Sequence, residues 1–143
     1  MKKTSCGVII ANPATHEILA VRPWGRPRNL DIPKGIREAG EYSPACALRE
    51  LREETGIVLR PSQLEDLGVF KYLPDKDLQL YLHKVTSFPD PTRLACSSMM
   101  INPVTQKDTV PEITGFEITY FYDSRFYKSL KPILACLDEL ICN

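Results

Sequence analysis

The chain has 143 residues, of which 43% are hydrophobic, with 18 basic and 18 acidic side chains. That length supports one hydrophobic core, hence a single domain over residues 1–143, and the composition excludes a disordered chain. A formal net charge of zero excludes a tight nonspecific nucleic-acid binder, so no stable nucleic-acid complex is expected and an anionic ligand must be met by local charge.

The opening MKKTSCGVII is a short apolar run stopped by Asn12 and Pro13. It is too short for a signal peptide or membrane anchor and reads as a first strand of a cytoplasmic protein. Residues 4–11 and 18–22 are β-branched and aliphatic runs separated by NPATHE, whose Asn-Pro start is a turn signal, so a hairpin is expected. PWGRPRNLDIPKG, residues 23–35, is dense in Pro and Gly and predicts a loop with a brief extended piece at Leu30–Ile32. Residues 42–55 predict a helix, with Ser43 as N-cap, Pro44 at the first helical position and Gly56 as the left-handed stop.

Residues 67–73 and 78–86 read as two strands joined by PDKD, each with one buried face. Residues 87–111 carry four prolines and read as loop with at most a short strand; a lid, a homodimer contact and a plain long loop all remain open for this stretch. FEITYFY, residues 116–122, predicts the last strand. Leu130, Ile133, Leu134, Leu137, Leu140 and Ile141 recur at helical spacing over residues 129–142, with Ser129 as cap. The order predicts an α/β sandwich in which helices cover a mixed sheet.

Five cysteines form no CxxC and no Cys/His cluster, which favours reduced thiols over disulfides or zinc. The two histidines, His16 and His83, have no partners near in sequence and read as surface or satisfied side chains.

The charge carried by the helix at residues 42–55 is the unusual feature. At 100° per residue Glu50, Glu53 and Glu54 share one face, while Leu48, Leu51 and Thr55 share another. Three adjacent carboxylates repel, and they lie in the half of the helix where the dipole disfavours negative charge. Arg49 and Arg52 as surface ion pairs offer one source of compensation, and a divalent cation the other, because Mg²⁺ and Mn²⁺ take carboxylate, carbonyl and water oxygens.

The surrounding spacing separates these readings. Gly35, five residues, Glu41, seven residues, Arg49-Glu50-Leu51, one residue, Glu53-Glu54, one residue and Gly56-Ile57 match every fixed position of G-x5-E-x7-R-E-U-x-E-E-x-G-U, where U is bulky and aliphatic. A chance match is on the order of one in ten million at ordinary residue frequencies. The chain therefore resembles the Nudix hydrolases. The resemblance implies an α/β/α sandwich and hydrolysis of a pyrophosphate bond in a nucleoside diphosphate linked to another group, with Mg²⁺ or Mn²⁺ as cofactor and a small nucleotide as partner.

By the same resemblance Glu53, Glu54 and the Gly35 carbonyl are metal ligands, Glu50 is a further ligand or the group that takes a proton from water, and Arg49 orients the glutamates. Glu41 is expected to be structural. Glu112 and Glu117 are further candidates for the base, with an exposed loop carboxylate as the alternative for Glu112. Arg22, Arg26, Arg28 and Lys34 offer cations to phosphates, and Trp24 offers a ring for stacking or a hydrophobic lid contact. Tyr72, Tyr81 and Tyr120 lie on expected strands, where core packing is the first expectation. Pro33-Lys34-Gly35 resembles the entry to the motif in dinucleoside polyphosphate hydrolases, although Ile36 follows Gly35 where a histidine is usual there. Dinucleoside polyphosphates are thus the favoured substrates. ADP-ribose or another nucleotide sugar, and a Nudix module that binds a nucleotide without cleaving it, are the alternatives.

Overall fold

Both faces of the first strand are buried, which is why it reads as an unbroken apolar run rather than an alternating one. The computed structural model describes residues 2–142. Strand β1 (Lys3–Asn12) sits at the centre of a sheet with β2 (Glu17–Pro23), β3 (Lys34–Ile36), β4 (Glu65–Leu73), β5 (Lys76–Lys84) and β8 (Ile113–Tyr120). The strand order is β4-β5-β1-β2-β8, with β3 paired to β1. β1 and β5 run parallel from Lys3↔Lys76 to Ala11↔Lys84, and the other pairs are antiparallel, so the sheet is mixed as expected.

Alternate residues of β1 feed two separate cores. Cys6, Val8 and Ile10 pack with Cys46, Ala47 and Leu51 of helix α1 (Ser43–Thr55). Ile9 and Ala11 pack with Leu130, Ile133, Leu134 and Leu137 at helix α2 (Lys131–Ile141). The helices therefore cover opposite faces of the sheet, an α/β/α sandwich.

The hairpin expected at the start is short. β1 and β2 pair only at Ala11↔Ile18 and Asn12↔Glu17 and then diverge. The chain at residues 30–36 enters the gap. Asp31 bridges Val21 on one side, and β3 pairs with Ser5, Cys6 and Gly7 of β1 on the other. The extended piece expected at Leu30–Ile32 is thus a pair of isolated bridges, and the regular strand lies just after it. This fork in the sheet brings Gly35 opposite Cys6, directly beside α1.

The helix ends differ from expectation at both N-termini. Tyr42, not Ser43, occupies the cap of α1, with extended backbone and no side-chain cap bond, and Cys46 N–H donates to Tyr42 O (3.0 Å). Pro44 in the first turn has no N–H to satisfy, which reduces the need for a capping oxygen. In α2 the cap is Leu130, whose fully buried side chain fixes the start, and Ser129 lies in the preceding turn. Gly56 ends α1 as expected, at φ 81° with its N–H bonded to Arg52 O (2.8 Å).

The last strand begins three residues earlier than expected, at Ile113. Residues 87–111, expected to be mostly loop, hold a 3-10 turn at Pro91–Arg93 and a separate two-stranded hairpin of β6 (Met99–Ile101) and β7 (Thr109–Pro111). His16 is satisfied, with Nδ1 2.7 Å from Asp138 Oδ1, and its ligand atoms lie within 4.8 Å of those of Asp138 and Cys142, a grouping that sequence spacing hides. Among the described residues all five cysteines are free thiols.

Candidate active site

The acidic face of α1 is not a solvent face. Glu50 and Glu54 are 8% and 4% exposed, and Cys46 and Ala47 join Leu51 and Thr55 in the buried stripe, while Leu48 is only half-buried. Glu53 is one-third exposed. Burial raises the pKa of Glu50, against the lowering effect of Arg49. Burial, then the charge of Glu50, pushes Glu54 up to about 9, with Lys34 opposing the shift.

Arg49 organises these acids. Its Nε donates to Glu41 Oε2 (2.8 Å) and its Nη2 to Glu41 Oε1 (3.0 Å), a two-point fork that fixes the guanidinium plane. Nη1 then donates to Glu50 Oε1 (2.8 Å) and reaches Glu53 Oε2 at 3.4 Å. Glu41 also accepts the Glu38 N–H (3.0 Å), so it ties the entry loop to Arg49, the structural task expected of it. Arg49 hydrogen bonding holds the Glu41 carboxyl down to about 2, below its ordinary 4.5. The unfolded chain protonates Glu41 first, so the stability due to this group is complete above about pH 4.5 and is lost as pH falls towards 2. Glu41→Gln is accordingly expected to cost about 2 kcal/mol at pH 7 by urea denaturation and to flatten the acid limb of stability between those pH values.

Gly35 closes one side. A Cβ there would lie 2.0 Å from Glu50 Cδ and 2.2 Å from each carboxylate oxygen, so only glycine allows the Glu50 head to sit against β3. The Gly35 carbonyl lies 3.7 Å from Cys46 Sγ, a weak thiol contact that holds it on the helix side of the strand.

The opposite wall comes from three distant segments. Lys34, Asp31, Trp24, Glu54, Met100 and Glu112 line one cavity of about 190 Å³. Lys34 Nζ is 3.0 Å from Asp31 Oδ2; burial works against its charge, but Asp31, Tyr72 and Glu54 outweigh burial and hold its pKa above the ordinary value. Glu112 is placed by its backbone, its N–H donating to Ser98 O (3.0 Å) and its carbonyl accepting the Trp24 N–H (2.9 Å). It is close enough to act electrostatically on both Glu50 and Glu54.

Glu117 lies elsewhere. Its carboxylate accepts from Arg22 Nη1 (2.6 Å) and from Arg125 Nη1 and Nη2 (3.1 and 2.6 Å). That network occupies Glu117 and also takes Arg22 away from the acid cavity, so neither joins the acids. Arg26 and Arg28 are exposed and line a groove beside Trp24. Lys34 connects the acid cavity to a larger one of about 810 Å³ lined by Tyr72, Tyr127, Lys128 and Asp31, where the Lys34 ammonium lies 5.4 Å from the Tyr72 ring centre. Tyr81, by contrast, is a core residue and Tyr120 stacks on Tyr122. Asp31, Tyr127 and Lys128 carried no local signal, since only the fork in the sheet and the turn before α2 bring them to Lys34.

The carboxylates here outnumber the cations. Glu50, Glu53, Glu54, Glu112 and Asp31 face Arg49 and Lys34, and Arg49 is shared with Glu41. A cluster of hard oxygen donors with excess negative charge fits Mg²⁺ or Mn²⁺ and does not fit a soft, sulfur-seeking ion.

A model of the NUDIX domain matches residues 1–93. The chain belongs to the Nudix family. Over 57 residues it is 51% identical to an uncharacterised 17.7 kDa protein from the e-segB intergenic region of Enterobacteria phage T4, a match that spans 38% of each chain. Among solved structures it is similar to an Ap4A hydrolase from C. elegans, with a TM-score of 0.66 at 19% identity over 95% of this chain and 96% of that one. It is similar also to an ADP-ribose pyrophosphatase from Streptococcus suis, with a TM-score of 0.67 at 14% identity over 98% of this chain and 92% of that one. At these identities the likeness is one of fold.

Proposed function

We propose that the protein hydrolyses a pyrophosphate bond in nucleoside diphosphate derivatives, using Mg²⁺ or Mn²⁺ and favouring dinucleoside polyphosphates. The observation that carries this reading is the convergence of the buried Glu54 with Glu112 on a cavity whose cation is Lys34, with the buried Glu50 close enough to act electrostatically on both. Glu53, Glu54 and the Gly35 carbonyl would hold the metal, with Glu50 as a further ligand or proton acceptor. The metal, when bound, neutralises phosphate charge and lowers the pKa of coordinated water.

The chain's own residues supply the rest. Arg49 fixes the carboxylates so that they need not reorganise during reaction. Lys34, held cationic by Asp31, meets a phosphate oxygen at the cavity wall. Glu112 takes a proton from the attacking water if Glu50 is engaged with metal. Tyr72 and Tyr127 give the larger cavity two rings for a nucleobase, with Lys128 at its edge. The presence of every box glutamate favours turnover over a binding-only module. Among the described residues no helix is long and apolar enough to cross a membrane, in keeping with a diffusible nucleotide substrate.

A panel of dinucleoside polyphosphates, ADP-ribose and nucleoside triphosphates, incubated with and without Mg²⁺, tests the proposal. Metal-dependent release of mononucleotides, fastest from the dinucleoside polyphosphates, is expected. Fastest cleavage of ADP-ribose would transfer the preference to nucleotide sugars. Stabilisation of the protein by a nucleotide that is never consumed would support the binding-only alternative.

A further inference from the structure

The chain after β5 is tied to the active site at its base. The Ala95 N–H donates to Thr55 O (3.1 Å), and the N–H groups of Ser97 and Ser98 both donate to Glu53 O (2.7 and 3.2 Å), so last-turn carbonyls of α1 hold the approach to β6. On the return, Glu112 and Trp24 close the base through the two backbone bonds described above. The tip is ordered from within. Asn102 is buried, its N–H donates to Asp108 O (2.8 Å), and its side-chain oxygen accepts the Val104 N–H (2.9 Å). Thr105 and Asp108 add a side-chain bond across the turn.

This ordered turn holds the apolar side chain of Val104 out in water at 81% exposure. Val104 and Pro103 line a groove of about 540 Å³ whose other wall is Trp24, Arg26, Pro27 and Arg28. Trp24 is shared with the acid cavity. The Tyr72–Tyr127 cavity shares Asp31 and Lys34 with the acid cavity and shares no lining residue with the Trp24 groove. The acids therefore lie between two separate cavities, one offering two tyrosine rings and the other a single indole, each together with cations.

We propose that the groove between the Trp24–Asn29 loop and the β6–β7 hairpin receives the second nucleoside of a two-headed substrate, the first lying between Tyr72 and Tyr127. This rests on the nucleotide reading of the acid cavity. The indole, with Pro103 and Val104 opposite, presents apolar surface to a planar base, and stacking of this kind tolerates any base. Arg26 and Arg28 offer planar forks to the phosphate that joins the head to the chain. The hairpin lies beyond residues 1–93, so this wall is built outside the stretch that the family model matches.

The test is calorimetric binding, with Mg²⁺, of two non-cleavable methylene-bridged analogues of equal phosphate number: diadenosine tetraphosphate and adenosine tetraphosphate. The unaltered protein is expected to bind the two-headed analogue about tenfold more tightly, the size of one stacked base. Trp24→Ala and Val104→Asp should each bring the ratio close to one. Val104 is so exposed that its replacement should leave the melting temperature unchanged. Equal affinity for the two analogues in the unaltered protein, or a preference that survives in both variants, would overturn the proposal. Because neither analogue can be cleaved, a preference found alongside failure to hydrolyse the natural compounds would support the groove and count against the hydrolase reading alone.

Discussion

Glu54→Gln is expected to lower Mg²⁺-dependent turnover by about 10²- to 10³-fold, the range seen when one preorganised electrostatic group is removed from a reacting centre. The substitution keeps shape and removes charge. In the folded protein Glu54 is 4% exposed and faces Glu50 and Glu112, and Lys34 offsets this only in part, so its carboxylate is poorly tolerated without a bound metal cation. The metal-free variant should therefore melt no lower than the parent protein, while the rise in melting temperature on adding Mg²⁺ should shrink. Glu53→Gln should reduce turnover to a similar extent, although Glu53 is one-third exposed and its neutralisation should affect metal-free stability little. Steady-state rates and melting curves over a Mg²⁺ titration check both variants. Full turnover in both would remove these residues from the metal site.

Gly35→Ala is the second substitution with a large expected effect, and its cause is steric. The added Cβ would lie 2.0–2.2 Å from the Glu50 carboxyl, far inside any non-bonded contact. Either Glu50 leaves its position against β3 and its 2.8 Å bond with Arg49, or β3 moves away from β1. Overpacking of this kind costs about 1–3 kcal/mol, measurable in urea denaturation. Turnover should fall by about 10²-fold or more, chiefly in kcat, because the acids are displaced while the aromatic cavity is left intact. Unchanged kcat would mean that Glu50 has no part in the chemistry.

The box was legible because its signals are local. The i, i+3, i+4 spacing of Glu50, Glu53 and Glu54 and the glycine at position 56 depend only on the helix that carries them. The long strands were legible for a similar reason, since β-branched runs such as residues 4–11 need no distant partner to be recognised. β3 was not, because three residues become a strand only through pairing with β1 in the fork of the sheet. The β6–β7 hairpin was hidden by its exposure: Met99 and Ile101 face solvent, no alternation marks a buried face, and the turn is set by the Asn102 side chain.

The same division runs through the site. The sequence put the acids on one helical face, but the burial of Glu50 and Glu54 follows from the packing of α1 on β1 and β3, which no helical wheel contains. Arg22 read as a free cation near the box, yet the register Ala20↔Glu117 and Arg22↔Gly115 sets it beside Glu117. Glu112, whose place was open between a loop carboxylate and a catalytic one, faces Glu54 because Ser98 and Trp24 hold its backbone.

The central claim is that these acids hold a divalent cation against a diphosphate. Crystals soaked in Mn²⁺ with a non-cleavable nucleotide, examined by anomalous diffraction, test it most directly. The expected result is a peak bonded to carboxylate oxygens of Glu53 and Glu54 and to a phosphate oxygen, at about 2.0–2.2 Å. A nucleotide bound in the site with no anomalous peak beside those side chains would contradict it.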